Sequence, residues 1–135
     1  VTRDPTQAEE AGTVPDDQRQ RVLDICLSLP EATRLGERQL SFQVRRKSFA
    51  YYMDDHHGDG RLAVAFKAAP GENRELIASD PERFYLPAYV GPKGWVALRL
   101  DTGEVDWSEV AELALDSYRL VAPKRLAAAA KLPAV

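Results

Sequence analysis

QLSFQVRRKSFAYYMDDHHGDGRLAVAFK, residues 39–67, places an apolar residue at every second position in three successive runs. Leu40, Phe42 and Val44 alternate with Gln39, Ser41 and Gln43. Phe49, Tyr51 and Met53 alternate with Ala50 and Tyr52, and Leu62, Val64 and Phe66 with Ala63 and Ala65. A period of two puts each apolar row on one face of an extended strand. The links between the runs, RRK and DDHHGDG, are too short for the crossover a parallel pair needs, so the three strands form an antiparallel meander. Residues 34–38 either lengthen the first strand or form another before it.

Upstream the period changes. Val22, Ile25, Cys26 and Leu29 recur at helical spacing, and Pro30 ends the run because the residue before a proline is pushed out of helical geometry. Asp17, three residues before Gln20, is the expected N-cap. Cys26 is the single cysteine; set in an apolar stripe, it reads as a core residue rather than a reactive thiol. Residues 1–16 carry two prolines, several acids and no apolar period, the composition of a flexible acidic arm.

Downstream, Pro70 and Gly71 end the strand block, and ENRELIAS (72–79) predicts a short helix with Leu76 and Ile77 inward. Ser79-Asp80-Pro81 predicts a single helical turn over 81–85. Val96, Leu98 and Leu100 give a further strand. Asp106 with Glu109 caps a last long helix reaching about Val121, with Val110, Leu113, Ala114, Ser117 and Val121 on one face and Glu109, Glu112 and Asp116 on the other. KRLAAAAK adds a short final helix after Pro123. The expected architecture is a single α+β domain over 17–135, an antiparallel sheet of about four to five strands covered on one face by the N-terminal and C-terminal helices.

The chain has 135 residues and a net charge of −3, with no apolar run long enough to span a bilayer and no signal-like start, so a cytoplasmic location is expected. Asp4, Glu9, Glu10, Asp16 and Asp17 against Arg3 alone account for that charge, leaving the remainder slightly positive. Two segments concentrate cations: Arg34, Arg38, Arg45, Arg46 and Lys47 against Glu37, and Arg119, Lys124, Arg125 and Lys131 with no acid. Such groups either solvate turns and sheet edges or neutralise phosphates. In DDHHGDG, Asp54, Asp55, His56, His57 and Asp59 are of metal-ligand type but lack ligand spacing, and the glycines suit a hairpin tip. No metal, cofactor or catalytic group is expected, because no positioned nucleophile, base or nucleotide loop can be read; Gly91-Pro92-Lys93-Gly94 lacks phosphate-loop spacing and opens a strand.

LSFQVRRKSFAYY, SDPERFYLPAYVGPKGWVALRLD and DSYRLVAPKRL together resemble the MmcQ/YjbR family over about residues 17–130. The most specific part is Pro87, Tyr89, Gly91, Gly94, Trp95 and Val96, followed by Ser117-Tyr118 and Ala122-Pro123-Lys124. The resemblance implies a frataxin-like α+β shape and DNA binding through paired sheet loops. On that basis the expectation is a non-enzymatic protein making weak, salt-dependent, sequence-independent contacts to DNA, with Arg45, Arg46 and Lys47 on phosphates and Arg34, Arg38, Lys124 and Arg125 extending the surface. Asp54, Asp55 and Asp59 would repel phosphate from the other loop. The alternative is a small-molecule or protein-interaction module whose pocket, between sheet and helices, is lined by Tyr51, Tyr52, Tyr89 and Trp95.

Overall fold

A computed structural model describes residues 17–135; the arm expected over 1–16 lies outside them. Six strands form one antiparallel sheet: β1 (Thr33–Leu35), β2 (Leu40–Val44), β3 (Lys47–Asp54), β4 (Leu62–Lys67), β5 (Phe84–Tyr85) and β6 (Trp95–Arg99), in the order β1-β2-β3-β4-β6-β5. The meander over 39–67 is present as the alternation requires. The sheet exceeds the expected four to five strands because both of its edges are short elements. At one edge Arg34 pairs opposite Phe42. At the other, the turn after Asp80 closes at once: its carbonyl accepts from the N–H groups of Arg83 (3.2 Å) and Phe84 (3.0 Å). Phe84 is then free to pair opposite Leu98 and bury its ring, which a continued helical turn would forfeit.

Register explains the layers. Leu40, Tyr52, Val64, Leu98 and Phe84 lie side by side across five strands and face the main core. Against them pack α1 (residues 17–27), α3 (Trp107–Val121) and α4 (Lys124–Ala129). Val22, Leu23, Ile25 and Cys26 supply the buried stripe of α1, continued by Leu29. Asp17 is already inside that helix and pairs with Arg21 at 3.9 Å instead of capping. Asp106 does cap α3, accepting from the N–H groups of Ser108 (3.1 Å) and Glu109 (3.2 Å). The buried face of α3 is Val110, Ala111, Ala114, Leu115, Ser117 and Tyr118, rotated from the expected stripe so that Leu113 and Val121 sit at its margin.

Cys26 is fully buried, and that burial pushes its thiol well above the ordinary value. A thiolate-selective dye is therefore expected to leave the native protein unlabelled at pH 8 and to label one thiol in denaturant. Rapid native labelling would contradict the packing.

The opposite face of the sheet is not bare. Met53, Ala63, Ala65, Trp95 and Ala97 form a second, smaller apolar cluster, joined by Tyr51, Tyr85 and Val90. The small alanines of β4 and β6 let the connection from β5 to β6 lie down on this face. Segment 86–94 thus covers the β4–β6 half, while the β1–β3 half carries Leu35, Ser41 and Tyr51 in one row. The remaining helix, α2 (Glu72–Ser79), buries Asn73 and packs beside β5 and β6. No helix among the described residues is long and apolar enough to cross a membrane.

Candidate functional site

An antiparallel meander sends successive connections to opposite ends of the sheet, and charge follows that division. At one end β2 turns into β3 through Arg45 and Arg46, with Val44 paired opposite Lys47. Both arginines have positive φ, 50° and 69°, as a two-residue primed hairpin turn demands of its central residues. A side chain with a Cβ adopts this backbone only at a cost. Arg45 Nε and one terminal nitrogen donate to the two Glu31 carboxylate oxygens at 2.7 and 3.1 Å. The Arg45 hydrogen bond, supplemented by the charges of Arg45 and Arg125, holds the Glu31 carboxyl below the usual carboxylate range. Arg125, near the start of α4, is therefore within electrostatic reach of Glu31. Lys67, at the end of β4, and Lys93, just before β6, are carried to the same end by the register Ala50↔Phe66 and Lys67↔Trp95.

Of the seven cations singled out in the sequence, Arg45, Arg46 and Lys47 share the β2–β3 tip, Arg125 lies within electrostatic reach of Glu31 with Lys124 beside it in sequence, and two stand elsewhere. Arg38 stands at the opposite end, 3.5 Å from the Asp54 carboxylate and 3.7 Å from that of Asp55. The five-residue β2 separates it from the tip by roughly 17 Å at about 3.4 Å per residue. Arg34 lies midway along the β1 edge on the helix side of the sheet, opposite Phe42. Of the other five, Arg45 is committed to Glu31, whereas Arg46, Lys47, Lys124 and Arg125 form no ion pair with the described residues.

At the far end carboxylates and arginines mix: Arg38 faces Asp54 and Asp55, Arg61 follows Asp59 in the hairpin, and Arg99 donates to Asp101. Asp55 Oδ1 accepts from the Gly60 N–H (2.6 Å) and Asp59 Oδ1 from the Arg61 N–H (2.9 Å), so these carboxylates fold the hairpin they sit on. Among the described residues no group of three or more His, Cys, Asp and Glu side chains is placed to hold a metal ion. On α3, Glu109 is not merely solvated: Arg83 bridges it to Asp80, at 2.7 and 2.6 Å.

The aromatic residues divide by face. Tyr51 and Trp95 pack together, centroids 4.9 Å apart, on the face away from the helices, while the Tyr52 ring belongs to the helix-side core. Among the described residues no pocket lined by these aromatics therefore lies between sheet and helices, where the Tyr52 ring is packed into the core. A cavity of about 360 Å³ opens instead on the other face, between the β1–β3 half of the sheet and segment 87–90. Tyr51, Tyr52 and Tyr89 line it; Trp95 does not, but packs against Tyr51.

Segment 86–94 is held by residues that the sequence pattern marks and by one that it does not. Pro87 is buried, and its carbonyl accepts from the Gly91 N–H at 3.0 Å. A Cβ at Gly91 would lie 2.5 Å from Leu86 Cγ, so only glycine permits that approach. Gly94 turns with φ 96° into β6 while its carbonyl accepts from the Ala68 N–H at 3.0 Å. The residue without a sequence signal is Asn73, only 5% exposed, whose amide donates to the carbonyls of Gly91 (3.2 Å) and Trp95 (3.1 Å). Ser117, also fully buried, donates to the Phe49 carbonyl (2.6 Å) and accepts from the Lys67 N–H (2.9 Å), fastening α3 to two strands. Tyr118 donates to the Pro30 carbonyl at 2.6 Å and sets its ring edge-on against Phe49.

The family model described as YjbR matches residues 27–120, from the end of α1 to the end of α3. The chain belongs to the YjbR family. Its structure is also similar to the crystal structure of the Deinococcus radiodurans protein DR2400, which carries a DUF419 domain. The two share 29% identity and a TM-score of 0.59, over 78% of this chain and 76% of that one. A comparison with the curated proteins gives no match. Within the YjbR span lie the Arg45–Arg46 tip, segment 86–94, Asn73 and Ser117; Lys124 and Arg125 lie beyond it.

Proposed function

We propose that this YjbR protein is a non-enzymatic binding protein that contacts the phosphate backbone of duplex DNA weakly and without sequence preference. The supporting observation is the basic end of the sheet, where Arg46 and Lys47 on the β2–β3 tip and Lys124 and Arg125 on α4 are exposed and form no ion pair with the described residues, Arg125 lying within electrostatic reach of the Glu31–Arg45 pair. The acidic β3–β4 hairpin points to the opposite pole, so its repulsion acts in one orientation only. Of the sheet loops, the β2–β3 tip and the turn before β6, with Lys93, lie at this end, whereas the β3–β4 hairpin does not. Phosphate contacts of this kind carry affinity and leave base identity unread.

Salt dependence tests the proposal. With about four phosphates neutralised, a slope near −0.9 per contact makes affinity fall roughly 10²-fold between 50 and 200 mM salt. Fluorescence anisotropy with a labelled duplex is expected to show that fall. The Arg46/Lys47/Lys124/Arg125→Ala variant should bind more weakly at low salt and with a slope near zero, while Arg38→Ala, at the far pole, should match the wild type. Equal affinity of the quadruple variant and the wild type would refute the assignment.

A further inference from the structure

The cavity on the helix-free face lies at the other pole from the phosphate-binding surface and calls for a different occupant. Its floor is Tyr51 and Met53 from β3, one wall is Leu35 from β1, and Tyr89 and His56 stand at the mouth. The lining is almost wholly carbon. Two of its polar groups are already engaged: the Gln39 amide donates to the Asp54 carbonyl and accepts from the Asp54 N–H (3.0 Å), and the Ser41 and Ser48 hydroxyls share a hydrogen bond of 2.8 Å. The lining holds no Lys or Arg to recruit an anionic ligand, and Arg38, between Gly36 and Gln39 in sequence, faces Asp54 and Asp55.

Tyr89 is the unusual element. It is the apex of a three-residue turn in which the Val90 N–H reaches the Ala88 carbonyl at 2.7 Å, and its φ is 66°. Turns of this hand are strained for any residue with a Cβ and suit glycine. Yet the position holds a large aromatic that is 78% exposed, its ring set edge-on to His57, 5.4 Å between centroids. His57 in turn stacks on His56 at 3.9 Å and has a positive φ of its own, 58°. Leu35, across the opening, is 58% exposed. A backbone conformation that disfavours the side chain, combined with a side chain that buries little, places the use of Tyr89 outside folding; strain of this kind collects at ligand clamps.

We infer that this cavity binds an uncharged, planar aromatic small molecule, which lies over Tyr51 and Met53 and is closed in by Tyr89 and His56. The cavity volume falls within the range of small-ligand sites and accommodates about ten to fifteen non-hydrogen atoms. Offset or edge-on packing against Tyr51 and Tyr89 favours a flat ring over a saturated one of the same size.

Indole is the probe, followed by two-dimensional amide NMR on the full chain, with cyclohexanol and indole-3-acetate as saturated and anionic comparators. Saturable shifts are expected for the amides of Leu35, Met53 and Tyr89 with indole, at least fivefold weaker binding of each comparator, and no shifts around Arg46 or Arg125. Tyr89→Gly should keep or raise the melting temperature, because it relieves the turn, yet weaken indole at least fivefold; Tyr89→Phe should bind as the wild type does. DNA affinity should be the same in all three proteins, so failure here is separable from failure of the phosphate-binding surface. Absent or non-saturating shifts, comparators binding as tightly as indole, or undiminished binding by Tyr89→Gly would each overturn the inference.

Discussion

Replacing Asn73 with alanine is expected to destabilise the protein by about 2–3 kcal/mol, because a buried amide serving two carbonyls is lost and a void remains. Asn73 is the one side chain through which α2 grips the 91–95 turn, and its own oxygen accepts from the Arg74 N–H (2.9 Å). For a domain of this size each kcal/mol shifts the melting temperature by roughly 3–5 °C, so a fall near 10 °C is expected in a thermal scan. Asn73→Asp gives a sharper result. The introduced carboxylate faces two carbonyl oxygens, so its folded-state pKa is raised above its unfolded value. The variant therefore regains stability as pH falls through that raised value. The wild type behaves oppositely: hydrogen bonds from Arg45 and Arg83 hold Glu31 and Asp80 below the usual carboxylate range, and the stability they contribute is present above their unfolded pKa values and lost in acid. A loss below about 0.5 kcal/mol in Asn73→Ala would show that the turn holds itself.

Ser117→Ala is expected to cost about 2 kcal/mol, although it removes a single oxygen. That oxygen is both donor to the Phe49 carbonyl and acceptor for the Lys67 N–H at the centre of the helix–sheet contact, and its residue is fully buried. Urea denaturation should show a lower midpoint with an unchanged slope, since the surface exposed on unfolding is the same. Amide exchange adds a local readout: the Lys67 N–H should exchange faster in the variant than neighbouring β4 amides do. Unchanged Lys67 protection would place its hydrogen bond elsewhere.

How far the fold is legible depends on how local its causes are. The three strands over 39–67 follow from alternation alone, and Asp106 caps α3 because a cap is decided within four residues. Phe84–Tyr85 is a strand only through Leu98 and Ala97, and nothing in its own sequence announces that partner. The rotation of α3 arises from Tyr118, whose hydroxyl finds Pro30 while its ring fills the core; a polar-tipped residue reads ambiguously until its partner is placed.

The sites divide in the same way. Period two already separates Tyr51 from Tyr52, since neighbours on a strand point to opposite faces, and the meander register sets Arg38 near Asp54 once Leu40 is paired with Tyr52. These two assignments were recoverable from the pattern itself. The electrostatic reach of Arg125 to Glu31 was not, because it joins the bend after α1 to a helix far along the chain. Asn73 carries no signal either: in a polar octapeptide one asparagine looks like the rest. Tyr89 stood inside a recognisable motif, but its left-handed backbone is a property of the turn that only coordinates display.

The exposed cations of the β2–β3 tip, Arg46 and Lys47, give the molecule an uneven electrical surface along the strand direction. In the field of any polyelectrolyte it experiences a torque as well as a pull, so it turns before it touches and arrives one way round. Counter-ions shorten the reach of that torque to about 8 Å at physiological ionic strength. In dilute buffer the reach grows severalfold, and orientational capture rather than diffusion alone then governs encounter rates.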